Sequence, residues 1–287
     1  RSLGTNYWTF MRKYFNRNDN TKAWSIKPGS REAIFKRIAP ITDRMDVSDF
    51  KEIPKEVHNN LYLDLPKKIK GLYDELERDF VLEFGVEGLV EANSKGVQSS
   101  KFRQILQGAV YTKQEIGGEP TGAYKLLHDT KSQYLLDLVK SLNGKPVIVP
   151  IQFRFEYDIL CKVFKDKLPI IRGDTSAADT VQLVRWWNEG RIPVLLAHPR
   201  TIAYSLNLQF GGHTIIFHAM CWEMDLYQQL VKRLARRGQK ADTVIIHRIL
   251  FRGTVDEVIA RAVGERGASQ AQLFNHVKEY LRRKYGR

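Results

Sequence analysis

Apolar and polar positions change rhythm near Tyr124. Beyond it, short apolar runs alternate with amphipathic stretches of helical period. Lys131 to Leu142 repeats at 3.6 residues and is stopped by Asn143-Gly144. Pro146 to Ile151 is apolar throughout, the pattern of a parallel strand covered on both faces. Helix is predicted over Phe155 to Phe164 and strand over Leu168 to Ile171. Asp174, Thr175 and Ser176 then offer caps to a helix ending near Trp187. Strands are predicted at Pro193 to Ala197, Thr214 to Phe217 and Thr243 to Ile249. Helices are predicted at Leu226 to Arg237, Val255 to Val263 and Gln270 to Tyr285. Repeated strand-helix units imply an α/β domain, a parallel sheet with helices on both faces. Ligands of such sheets bind beyond the carboxyl ends of the strands.

The first part of the chain lacks that alternation. Residues 1 to about 50 interleave Tyr7, Trp8, Phe10, Tyr14, Phe15 and Trp24 with Arg12, Lys13 and Arg17. Such a mixture either packs a helix at a domain edge or stacks against a nucleic-acid strand; packing is the expected reading. Pro28-Gly29 is a turn and Ser30 starts a helix that stops at Pro40. Val57 to Leu65 is a short strand, Lys67 to Phe84 a helix, and Phe102 to Leu106 a second short helix. Glu91 to Ser100 and Gly117 to Gly122 are loops. The expected division is therefore a mainly helical segment over 1–122 and an α/β lobe over 123–287.

Composition adds a partner to this outline. The 287 residues hold 46 Lys and Arg against 32 Asp and Glu, a formal charge of +14. That excess suits a polyanion, most simply nucleic acid. Cys161 and Cys221 have no metal-ligand spacing, and the seven histidines form no metal motif, so no metal site is expected. No apolar run reaches the roughly 20 residues that cross a bilayer. The opening RSLGTNYWTF carries neither an initiator methionine nor a secretory leader. A piece of a longer, cytoplasmic protein, bacterial or from a phage-infected cell, is expected. At the other end, Lys278, Arg282, Arg283 and Lys284 read as a solvated helix end, with phosphate contact as the alternative.

The stretch CWEMDLYQQLVKRLARRGQ, Cys221 to Gln239, concentrates the candidate chemistry. Leu226, Leu230 and Leu234 form an apolar stripe, with Tyr227 and Val231 beside it. Gln229, Arg233 and Arg236 share a second face, and Gly238 is placed to end the helix. Upstream, Ser205-Leu206-Asn207-Leu208-Gln209 is followed by Gly211-Gly212 and the strand TIIF. The run W-x10-R-x2-R-x-G-Q resembles motif VI of the Swi/Snf-like branch of superfamily 2 helicases and translocases, and SLNLQ resembles its motif V, where glycine usually stands in place of Ser205. Pro146 to Phe153 is similar to motif IV. Ile171 to Asp174 resembles the family's strand and Gly-rich turn, and Thr254-Val255-Asp256-Glu257 its closing T-[IV]-[DE]-E. The segment from LGTNYWTFMRKYF through Leu65-Pro66 looks like the family's interlobe region with its helical protrusions.

The resemblance implies the second of two RecA-like lobes. It assigns Arg233 and Arg236 as arginine fingers toward ATP, with Arg236 the principal one. Asn207, Gln209, Gln229 and Gln239 fall at the nucleotide, and Gln152, Arg172 and Ser205 at the nucleic acid, expected to be double-stranded DNA. ATP and Mg2+ would be held mainly by an N-terminal RecA-like lobe. No G-x-x-x-x-G-K-[ST] occurs in the 287 residues. The pairs Asp74-Glu75 and Asp256-Glu257 lie in helical pattern rather than at a strand end, so the chain alone is expected to be inactive. Two other readings stand beside this one. The first is a non-enzymatic basic α/β module that binds nucleic acid. The second, a dinucleotide-binding enzyme, is disfavoured because no G-x-G-x-x-G follows a strand.

Overall fold

The computed structural model describes residues 3, 6–17, 24–42, 53–79, 100–112, 123–203, 206–264 and 269–286. The chain separates into two compact units, Arg1–Lys51 and Glu52–Arg287. The expected division at residue 122 is therefore not where the units part. The reason is strand pairing: β3 (Lys55–Leu63) lies parallel to β10 (Thr243–Phe251) over nine residue pairs, which makes it part of the lobe's sheet.

In the first unit, α1 (Tyr7–Tyr14) is capped by Asn6, whose side chain accepts from the Thr9 N–H at 2.9 Å. It runs into an antiparallel pair, β1 (Phe15–Arg17) and β2 (Trp24–Ile26). Gly29, at φ +72°, turns the chain into α2 (Ser30–Ile38), which ends in a 3-10 turn at Ala39–Ile41. The aromatic residues divide. Phe10 packs on Tyr14 and Phe15 at centroid distances of 5.3 and 5.7 Å, and Tyr14 is buried. Tyr7 and Trp8 are exposed.

The second unit opens with β3, α3 (residues 67–79), α4 (Ser100–Leu106) and an antiparallel pair, β4 (Ala109–Tyr111) and β5 (Tyr124–Leu126). Alternation follows: α5 (Thr130–Ser141), β6 (Val147–Pro150), α6 (Arg154–Phe164), β7 (Ile170–Ile171), α7 (Ala177–Asn188), β8 (Val194–Ala197), α8 (Pro199–Ile202), β9 (Thr214–Phe217), α9 (Met224–Leu234), β10, α10 (Val255–Gly264) and α11 (Gln270–Tyr285). The sheet order is β3-β10-β9-β6-β8-β7, and every recorded pairing is parallel. Successive strand residues feed opposite faces. Ile148, Leu195, Ile215 and Phe217 join Trp187, Leu230 and Leu234 on one side. Val147, Val149, Leu196 and Ile216 join Leu135 and Leu160 on the other.

Two close approaches fix the loop before β9. A Cβ on Gly211 would stand 2.2 Å from the Trp187 carbonyl oxygen, and one on Gly212 would stand 2.9 Å from that of Pro146. Only glycine lets this loop lie against α7, where the Trp187 indole donates to the Leu208 carbonyl at 2.8 Å.

The loop expected at Gly117 to Gly122 lies outside the described residues, as do residues 91–99. Lys284 is not a solvated end. Its ammonium donates to Glu77 Oε2 at 2.6 Å and Asp74 Oδ1 at 2.8 Å, and lies over the rings of Tyr73, Tyr280 and Tyr285. It ties α11 to α3. Among the described residues, no helix is long and apolar enough to cross a membrane, and no histidine, cysteine and carboxylate cluster could hold a metal.

Candidate nucleotide and nucleic-acid site

The apolar stripe of α9 is buried at Leu226, Tyr227, Leu230, Val231 and Leu234, which leaves the opposite face to its polar residues. Of these, Arg233 reaches the end of α8: its Nε donates to the Ala203 carbonyl at 3.0 Å, and Nη2 donates to the same oxygen. Burial, and then the charge of Arg236, lowers the pKa of this guanidinium from its ordinary value.

Arg236 is not on the helix. The last helical bond runs from the Ala235 N–H to the Val231 carbonyl, and ψ of +68° at Ala235 turns the chain away. Gly238, at φ +88°, belongs to the turn that follows. The cause of this early stop is Gln239. Its amide Nε2 donates to the carbonyls of Gly212 at 2.9 Å and Leu234 at 3.4 Å, and its Oε1 accepts from the Ala241 N–H at 3.2 Å. A helix continued to Arg237 would lose that tie to the loop before β9. Freed from the helix, Arg236 places Nη1 3.1 Å from Asn207 Oδ1. Asn207 is held in turn by Asn188, whose Nδ2 donates to its carbonyl at 2.8 Å.

Arg233, Arg236 and Asn207 thus gather around the segment that runs from α8 to β9. Gln209 and Gln229 each have a buried side-chain oxygen without a hydrogen-bond partner, as does Asn188. Buried amide oxygens without partners are uncommon and mark places a ligand can satisfy. Gln239 stands behind the cluster, committed to backbone. Ser205 lies outside the described residues.

A second cluster sits at the carboxyl ends of β6, β7 and β8. A cleft of about 530 Å³ is lined there by Gln152, Phe153, Arg172, His198 and Arg200, among others. Arg172 donates through Nε to Asp174 Oδ1 at 2.6 Å and lies over the Tyr157 ring at 5.7 Å. Arg200 pairs with Glu223 at 2.6 Å. Gln152 accepts from Arg103 Nη2 at 3.3 Å and donates to Cys221 Sγ at 3.5 Å. Burial pushes the Cys221 thiol up to about 12, so the sulfur stays protonated at neutral pH. Burial, with Arg200 next, lowers the pKa of the His198 imidazole from its ordinary value.

Beneath this cleft is a buried polar web. Glu156 Oε1 accepts from the N–H groups of Gln152 and Phe153, both at 2.8 Å. Its Oε2 lies 2.7 Å from His218 Nδ1, and His218 Nε2 lies 3.1 Å from Ser132 Oγ. Lys131 donates to the His218 carbonyl at 3.2 Å and to Asp256 Oδ2 at 2.7 Å. Sequence reasoning missed Arg103, Arg200, Asn188 and this web. The position of Arg200, just past β8, was the one usable signal for any of them.

Residues 130–238 match the family described as helicase conserved C-terminal domain. Protein p41 of Acyrthosiphon pisum secondary endosymbiont phage 1 is 29% identical over 245 residues, which are 84% of this chain and 50% of that protein. An uncharacterized ATP-dependent helicase of Mycoplasma pneumoniae is 24% identical over 241 residues, 81% of this chain and 22% of the helicase. The chain therefore spans half of one relative and under a quarter of the other. Among solved structures, the C-terminal part of the Fun30 ATPase domain superposes with a TM-score of 0.56 at 15% identity, covering 81% of this chain and 99% of that one. The Sulfolobus solfataricus SWI2/SNF2 ATPase core domain gives 0.55 at 15% identity, covering 98% and 58%. These likenesses show a shared fold, which is RecA-like. Over residues 130–238 the chain is thus similar to the helicase conserved C-terminal domain, on a RecA-like fold shared with the Fun30 and Sulfolobus solfataricus SWI2/SNF2 ATPase domains.

Proposed function

We propose that this chain is the second motor lobe of an ATP-dependent translocase on double-stranded DNA. The observation that carries the reading is the pair of guanidiniums, Arg233 bonded to the Ala203 carbonyl and Arg236 to the Asn207 amide oxygen. Guanidiniums remain charged and present a planar fork suited to phosphate oxygens. Arg236 is the principal finger. Arg233 is its partner and also holds the end of α8 through the Ala203 carbonyl. Asn207, Gln209 and Gln229 face the nucleotide with amide groups, and Gln239 holds the turn that presents Arg236. An N-terminal RecA-like lobe would hold ATP and Mg2+, because the 287 residues contain no phosphate-binding loop. ATP supplies the transferable phosphoryl group; the residues here bind and neutralise it.

The cleft at the ends of β6, β7 and β8 is the track. Gln152 and Arg172 contact the backbone of one strand, and Ser205 is assigned to the nucleic acid by its place in the motif alone. Gln152 touches Cys221, which lies close before α9, so motion at the track can reach the finger helix. A motor of this kind works in the cytoplasm of a bacterium or a phage-infected cell.

Triplex displacement by the full-length protein tests the reading. ATP should drive release of a third strand from a DNA duplex, and Arg172→Gln should slow that release. It should also weaken binding to all sequences and lower the salt slope by about 1. ATP hydrolysis without any third-strand release would remove the translocase part of the proposal.

A further inference from the structure

The N-terminal unit carries a cleft that the motor reading leaves unused. It measures about 620 Å³ and opens between α1 and the β1-β2 pair. That is within the size range of small-ligand sites. Its apolar surfaces are the indoles of Trp8 and Trp24 and the ring of Phe15. Arg12 and Arg17 also line it, and Asn6 and Asn16 supply carboxamides. Phe10 and Tyr14 pack inward, as residues of a core should. Trp8 does not: it is 58% exposed, and so is its edge-to-face neighbour Tyr7 at 61%, 5.2 Å away.

Side chains already hold this arrangement in place. The Arg12 Nε donates to the Trp8 carbonyl at 3.4 Å, and Lys27 donates to the Arg12 carbonyl at 2.6 Å. The Arg17 guanidinium lies 5.8 Å from the Trp24 ring centroid. Residues 1–51 hold eleven Lys and Arg against five Asp and Glu, so the unit as a whole favours an anion. An exposed indole and a half-buried one, flanked by guanidiniums and amides, match one ligand chemistry well. An aromatic base stacks on the indole, its phosphate pairs with an arginine, and its edge meets a carboxamide.

We infer that the Trp8–Trp24 cleft binds an unpaired nucleobase together with its phosphate. This rests on the motor reading only in taking nucleic acid as the substrate. It adds a contact to single-stranded or everted nucleotides, distinct from a track that follows duplex backbone.

The test uses the full-length protein and single-stranded oligonucleotides carrying 2-aminopurine, one of DNA and one of RNA. Stacking on an indole quenches this base. Binding is expected to quench it, and Trp8→Ala or Trp24→Ala should abolish the quench. Each should also weaken single-strand affinity by roughly tenfold, in keeping with the loss of one stacked base. Trp8→Phe should retain most of both. Arg12→Gln should weaken binding and lower the salt slope by about 1. The DNA and RNA arms decide which sugar the site accepts. Trp8 is largely exposed, so an unchanged melting temperature identifies a variant that still folds.

Unaltered quenching and affinity in both tryptophan variants would overturn the inference. So would an equal loss of affinity for fully paired duplex, or lowered stability with unchanged binding, which is what an indole buried against another domain would give. Failure of third-strand displacement counts against the motor reading, whereas failure of the quench counts against the cleft alone.

Discussion

Arg236→Ala in the full-length protein is expected to lower nucleic-acid-stimulated ATP hydrolysis by roughly 10³- to 10⁵-fold. Binding of nucleic acid should stay within a few-fold of the parent. Arg236 sits past the end of α9 on a turn anchored by Gln239, and its recorded side-chain partner is the Asn207 amide oxygen at 3.1 Å. Removing it empties no core and leaves the fold intact. Arg236→Lys should recover little, since an ammonium keeps the charge but lacks the planar fork. Arg233→Ala is a less clean experiment, because its guanidinium also holds the Ala203 carbonyl. Steady-state hydrolysis at saturating nucleic acid, with anisotropy for binding, separates the two effects. Hydrolysis within a few-fold of the parent in Arg236→Ala would end its assignment as the principal finger.

Asp256→Leu should produce the largest loss of stability. Lys131 and Asp256 are 1% and 3% exposed at their side chains, and their charged atoms lie 2.7 Å apart. Asp256 also accepts from the Phe251 N–H at 3.3 Å, joining the end of β10 to α10. Deleting the carboxylate leaves a buried ammonium facing the His218 carbonyl and the Phe251 ring. Stranding one member of a buried pair costs about 3–5 kcal/mol. At about 2–4 °C per kcal/mol for a domain of this size, a fall in melting temperature on the order of 10 °C follows. The double variant Lys131→Met/Asp256→Leu removes both charges and should recover most of that loss. Calorimetry decides it: a single variant within about 1 kcal/mol of the parent, or a double no better than the single, contradicts this account of the pair.

The lobe's sheet was legible because β6 and β8 are apolar at every position and β9 at all but Thr214, as suits strands covered on both faces. Their order was not, since register between residues 55–63 and 243–251 leaves no trace in local pattern. For the same reason the division at residue 122 missed β3. Arg233 and Arg236 were legible as neighbours in sequence, but Arg236 does not lie on the helix. Leucine spacing and Gly238 point to a helix through Arg237, whereas the carboxamide of Gln239 reaches back to Leu234 and Gly212 and stops it sooner. Such a tie depends on a strand loop elsewhere in the chain. The web of Lys131, Glu156 and His218 was invisible for a related reason: charged and polar residues read as surface until their partners are folded against them. Trp8 and Trp24 lie between these cases. Their composition allowed packing or stacking, and exposure of Trp8 separates it from Phe10 and Tyr14.

A comparison of ATP hydrolysis by the full-length protein and by residues 1–287 alone tests the central claim most directly. If this lobe supplies half of a two-lobe site, the full-length protein will hydrolyse ATP with strong stimulation by duplex DNA. A clean preparation of the 287 residues will show no turnover, with or without DNA. Turnover by the 287 residues alone, or a full-length protein that binds DNA yet never hydrolyses ATP, would contradict it.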